Sequence, residues 1–179
     1  MSKSKTMKRA LASLTLVTVL VLSGLVWAGT ASFTLPYLHS SSGLTTYCMV
    51  SNLNPGTSTD NTTSDTTGSF QVMATEKGGP TQAAHSIPAS FTPKSGTMRF
   101  FVFRQNAIYN GAGAQVVSFS DEIPNGGVNG YAGILSFTSS TATCKTISIA
   151  CMQSNTGDGS SGKRFANSVC NDGTNTISY

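Results

Sequence analysis

The chain has 179 residues, only 10% of them charged, and its formal net charge of +4 is unevenly placed. Lys3, Lys5, Lys8 and Arg9 supply the whole excess, so the seven basic residues after position 28 are balanced by seven acidic ones. A neutral body without a basic stripe excludes a nucleic-acid footprint, and about 150 residues suffice for one domain with its own core.

The first 28 residues carry the order of a secretory signal. A basic start, "MSKSKTMKR", precedes the apolar run "ALASLTLVTVLVLSGLV", and Val26 and Ala28 stand where a signal peptidase reads small or apolar residues. The run is about long enough to span a bilayer, so an uncleaved anchor is the alternative and the only route to a membrane. No cysteine follows Gly24 or Ala28, which excludes a lipid-modified leader. The expected destination is the cell surface or medium, with the periplasm as a variant. Residues 29–179 then form the single folded domain.

After the leader, short β-prone runs alternate with turn-forming stretches. Residues 31–38 read as a first strand interrupted by Pro36. In 45–52, Cys48 and Val50 share one face and Tyr47 and Met49 the other. Residues 53–68 are poor in apolar side chains and predict a long polar surface loop containing Asp60, Asp65 and the sequon Asn61-Thr62-Thr63. A strand over 69–75 aligns Phe70, Val72 and Ala74, and 84–91 reads as an edge strand broken by Pro88. The strongest run, 97–104, sets Phe100 and Val102 opposite Phe101 and Phe103, and apolar side chains on both faces predict a central strand. Further strands are expected over 114–120, 131–137 and 145–152, and the tail 153–179 adds one late strand or hairpin. No helical stripe follows the leader. The pattern predicts an all-β, antiparallel β-sandwich of about seven to nine strands, immunoglobulin-like or related.

Cys48, Cys144, Cys151 and Cys170 all lie beyond the leader. An even number of cysteines in an exported chain predicts disulfides. Read on one strand, Cys144 and Cys151 face opposite sides too far apart to bond to each other. The preferred pairs are Cys48–Cys144 and Cys151–Cys170, the second pinning the tail; Cys48–Cys151 with Cys144–Cys170 competes. No C-x-x-C or nearby histidine supports a zinc or redox site, and no cofactor is expected.

Catalytic candidates are few. His39 and His85 are the only histidines, Asp121 and Glu122 form an adjacent acidic pair, and no G-x-S-x-G elbow occurs. Asn155, Asp158 and Ser160 alternate oxygen ligands in a Gly/Ser-rich turn without the terminal glutamate of an EF-hand, a weak calcium candidate. Phe101 and Phe103 are singled out as an interaction face, since one side of their strand is expected to lie open. Trp27, the sole tryptophan, falls in the leader, so no tryptophan platform for a sugar exists.

These features predict a secreted or cell-surface, non-enzymatic protein with a structural, adhesive or binding role. Its partner is expected to be protein (itself or a cell-surface component) or an extracellular glycan. A mature start at "GTASFTLPYLHSSSG" offers a strand for addition to a neighbour's sheet, against which stands pairing inside its own. The alternatives are an extracellular hydrolase and a glycan- or calcium-binding module.

Overall fold

A computed structural model describes residues 28–38, 43–54, 66–73, 82–119, 130–155, 164–166 and 168–179. Residues 1–27 of the leader, His39, Asp60, residues 61–63, Asp65, Asp121, Glu122, Asp158 and Ser160 lie outside the described residues.

Among the described residues, twelve strands build two antiparallel sheets, the arrangement of a β-sandwich. They are β1 (Gly29–Leu38), β2 (Leu44–Asn52), β3 (Thr67–Val72), β4 (Ala84–Ile87), β5 (Met98–Arg104), β6 (Ala107–Tyr109), β7 (Gln115–Ser118), β8 (Tyr131–Ser139), β9 (Ile147–Asn155), β10 (Arg164–Ala166), β11 (Val169–Asn171) and β12 (Thr176–Ser178). The first sheet runs β12-β11-β1-β8-β3-β4 and the second β10-β9-β2-β5-β6-β7. Late strands slot between early ones: β8 separates β1 from β3, and β9 lies against β2.

Alternation decides which side chains meet between the sheets. Ala31, Phe33 and Leu35 of β1, Cys48 and Val50 of β2, Phe101 and Phe103 of β5, and Leu135 and Phe137 of β8 are buried. Their aromatic rings interlock across the layers. Phe70 lies 5.2 Å from Phe103 and 5.1 Å from Phe119, while Phe137 meets Phe101 edge-on at 5.8 Å. Such tilted contacts are the favoured geometry for ring quadrupoles. Gly133 of β8 makes room for this packing, since a Cβ there would collide with the Phe70 ring.

Prolines set boundaries as expected from their missing donor. The pairing of β1 with β8 shifts register between Leu35 and Leu38, around Pro36, and β4 stops at Ile87 before Pro88. β1 is hydrogen-bonded by β8 on one side and β11 on the other. Donating it to a neighbour therefore requires withdrawing Phe33 and Leu35 from the core. β5 is a central strand between β2 and β6. The tail contributes β10 and the β11–β12 hairpin, and β6 is a three-residue strand absent from the sequence expectation.

The disulfides are Cys48–Cys151 and Cys144–Cys170, which corrects the preferred pairing. Cys48 and Cys151 are opposed in the β2–β9 register with Cα atoms 4.1 Å apart. Cys144 is not on β9 at all. It sits in the preceding turn, where Thr143 accepts from the Ile147 amide and exchanges hydrogen bonds with Thr146. That turn lies beside the returning tail, where β11 joins the first sheet and brings Cys170 to Cys144.

The same corner is tied by polar groups. Asp172 accepts backbone N–H bonds from Cys144 (2.9 Å), Thr174 (2.9 Å) and Asn175 (2.6 Å). These donors stabilise the charged form and hold its carboxyl far below the usual carboxylate range. The Tyr179 hydroxyl donates to the Cys144 carbonyl at 2.7 Å, so the last described residue closes onto the same turn.

Candidate functional site

The two outer faces of the sandwich differ in chemistry because their strands alternate with different partners. On the first sheet the outward positions are hydroxylated. Asn171, Ser32, Ser136, Ser69 and Ser86 form one row across five strands. Ser32 and Ser136 are hydrogen-bonded at 3.0 Å, and Thr30 and Thr138 at 2.9 Å in the next row. These hydroxyls satisfy one another, and Thr30 and Ser32 line a shallow hollow of about 440 Å³ with Thr34, Ile134, Asn171 and Asp172.

On the second sheet the two middle outward rows are apolar. Met152, Tyr47, Val102 and Tyr109 form one row across β9, β2, β5 and β6. Ala150, Met49 and Phe100 form the next, and Met98 follows on β5 in a row shared with Ser51 and Ser148. Met98 is 53% exposed, Phe100 47% and Met152 38%. The Arg104 guanidinium lies 4.5 Å from the centre of the Tyr109 ring, closing one end of the face with a cation–π contact.

This assigns the two sides of β5 and corrects the expected interaction face. Phe101 and Phe103 are fully buried, because Phe101 stands opposite the inward Cys48 and Phe103 opposite the buried Thr46. The open aromatic on this strand is Phe100. Alternation alone leaves the sign of each face undetermined when both are apolar; the neighbour's register supplies it.

At the other end of the face lies a cleft of about 370 Å³ lined by Ser90, Phe91, Met98, Arg99, Phe100 and the 110–112 loop. Each wall has a local cause. Phe91 is held by its amide, which donates to the Pro88 carbonyl at 2.8 Å, and by an edge contact with Phe101 at 4.7 Å. The loop 110–114 is shaped by Asn110, whose Oδ1 accepts from the amides of Ala112 (3.0 Å) and Ala114 (2.9 Å). Gly113 supplies the left-handed backbone this turn needs, at φ +84°. With Oδ1 committed, the Asn110 amide NH₂ is left as a donor. Arg99 shares the inward parity of Phe101 but sits nearer the end of β5, and its Nε is buried without a hydrogen-bond partner.

The remaining sequence candidates do not assemble into a site here. His85 sits on the edge strand β4 with its ring 6.2 Å from Phe119, and it does not line the cleft. Asn155 ends β9. Among the described residues, no three His, Cys, Asp or Glu side chains converge as a metal-binding group. Two intact disulfides fit an oxidising, extracytoplasmic setting. Among the described residues, no helix is long and apolar enough to cross a membrane. In comparisons with known proteins, no family model, curated protein or solved structure matches the chain.

Proposed function

We propose that the chain is an exported, non-enzymatic β-sandwich of immunoglobulin-like or related type with an adhesive, binding role. Its working surface is the outer face of the second sheet, and its partner an extracellular glycan. The leader-like residues 1–28 and the disulfides support export to the surface or medium.

The observation that carries the reading is the exposure of Met98, Phe100 and Met152 on one outer face beside the half-buried Tyr47, Met49 and Tyr109. A contiguous apolar face on an exported domain marks a contact surface. Sugars are amphipathic: their C–H faces pack on aromatic and methionine side chains while their hydroxyls seek fixed polar groups. This face offers both, with Asn110 and Arg99 at its edge. β5 is paired on both sides only over Val102 and Phe103, where an extended peptide has no strand edge to pair with; Met98–Phe101 pair with β2 alone.

The test is a glycan array probed with the disulfide-bonded protein and with the Tyr47→Ser/Phe100→Ser variant. Glycan binding that the variant loses, by a monomer in size-exclusion chromatography, is the expected result. A dimer closed through this face, or glycan binding indifferent to the substitutions, overturns it. Bound glycan that is cleaved by the parent and left intact by Asp121→Ala/Glu122→Ala would instead establish a hydrolase.

A further inference from the structure

The Arg99 cleft carries more specific information than the face it adjoins. Arg99 is only partly buried, and its Nε is buried without a hydrogen-bond partner. Six of the chain's seven acidic residues lie outside the described residues, and the seventh, Asp172, is on the other sheet with its oxygens committed to backbone amides. Arg99 therefore has no internal carboxylate among the described residues. It lines the cleft together with Phe91, Phe100 and Asn110, whose Oδ1 is committed to the loop amides.

We propose that this cleft binds the carboxylate of an acidic sugar, a uronic or sialic acid unit, with Arg99 as its anion clamp. The inference rests on the glycan-binding reading and names the sugar class taken at one end of the face. A guanidinium is planar and presents parallel N–H donors, the geometry a carboxylate fills in bidentate fashion. The Asn110 amide is placed to donate to a ring or carboxylate oxygen, and Phe91, Phe100 and Met98 receive the apolar face of the ring. The volume, about 370 Å³, is at the small end of ligand pockets and suits one sugar unit with solvent access for the chain that continues from it.

The experiment is an NMR and calorimetric titration of the disulfide-bonded protein with D-glucuronate, N-acetylneuraminate, D-glucose and N-acetylglycine. The expected result is that one of the two acidic sugars binds at least tenfold more tightly than glucose and N-acetylglycine. It should also shift the resonances of Phe91, Phe100 and Asn110. Arg99→Gln should abolish the tenfold preference, and Arg99→Lys, a point charge without the fork, should keep only part of it. Equal binding of acidic and neutral sugars, or shifts elsewhere on the surface, overturns the inference while leaving the glycan reading standing. Tighter binding of N-acetylglycine overturns it in favour of a peptide carboxyl terminus. Failure of every sugar on the parent protein overturns both readings. Because the shifts are mapped on the parent protein, the test does not depend on the folding of the Arg99 variants.

Discussion

Cys48 and Cys151 face each other across neighbouring strands of one sheet, their Cα atoms 4.1 Å apart, so this disulfide staples β2 to β9 and not one sheet to the other. Its ring spans a sequence separation of 103 residues, against 26 for Cys144–Cys170. In the chain-entropy account the longer loop contributes about 4.7 kcal/mol and the shorter about 3.5 kcal/mol. Cys48→Ala/Cys151→Ala should therefore lower stability more than Cys144→Ala/Cys170→Ala in denaturant unfolding. Peptide mapping without reductant should recover a 48–151 and a 144–170 pair. Recovery of 48–144 would remove the register on which the outward face is assigned.

The cysteines also mark how far sequence reasoning reaches. Parity along 45–52 is enough to separate Cys48 and Val50 from Tyr47 and Met49, and the structure buries the first pair and half-exposes the second. Parity fails at Cys144 because alternation continues through "TCKTISIAC" while hydrogen bonds between Thr143 and Thr146 fold that stretch into a turn. It is silent at Phe100 and Phe101 because both sides of β5 are apolar, and only pairing with β2 tells them apart. The cleft is out of reach for another reason. Phe91, Arg99 and Asn110 come from a turn, a strand and a loop, and nothing in their spacing announces that they converge.

Asp172 makes the C-terminal corner sensitive to acid. Its folded pKa is depressed by backbone N–H donors, so the native state favours the ionised carboxyl more than the unfolded chain does. The contribution is complete above the unfolded carboxylate pKa of about 4 and is lost as pH falls below it. Thermal midpoints of the parent should fall between pH 5 and 2 more steeply than those of Asp172→Asn, which cannot titrate there. Parallel curves for the two proteins would detach the acid response from this residue.

Tyr131 presents the opposite situation, a polar group whose removal should help. Its ring is 4% exposed against Phe119, and the hydroxyl is buried without a partner. Burial pushes the phenol well above its ordinary range, so it stays neutral at any working pH. Tyr131→Phe keeps the ring and deletes the unsatisfied group, which should raise stability by about 1 kcal/mol. A loss of that size in urea unfolding would mean that the hydroxyl is satisfied.

Gly133 is a packing requirement. A Cβ here meets the Phe70 ring and the Gln71 carbonyl oxygen, and neither the sheet nor the interlocked aromatics can give way cheaply. Gly133→Ala should cost about 1–3 kcal/mol, the range for overpacking. A compensating Phe70→Leu exchange should recover part of it, with non-additivity in a double-mutant cycle as the signature of direct contact.

Phe100 and Phe101 provide the sharpest separation of fold from function, because they are adjacent in sequence and opposite in role. Phe101 is fully buried, with its ring against Phe91 and Phe137, so Phe101→Ala leaves a cavity and should cost about 3–5 kcal/mol. Phe100 is 47% exposed on the outer face and lines the cleft; Phe100→Ala should change stability by no more than about 1 kcal/mol. Glycan retention should follow the reverse order: Phe100→Ala loses it while keeping the parent melting curve. Phe101→Ala, measured well below its lowered midpoint, should retain it. If the exposed substitution leaves binding intact and the buried one removes it, the working surface is not this face. The aromatic row across β2, β5 and β6 would then be only the uncovered side of a sheet.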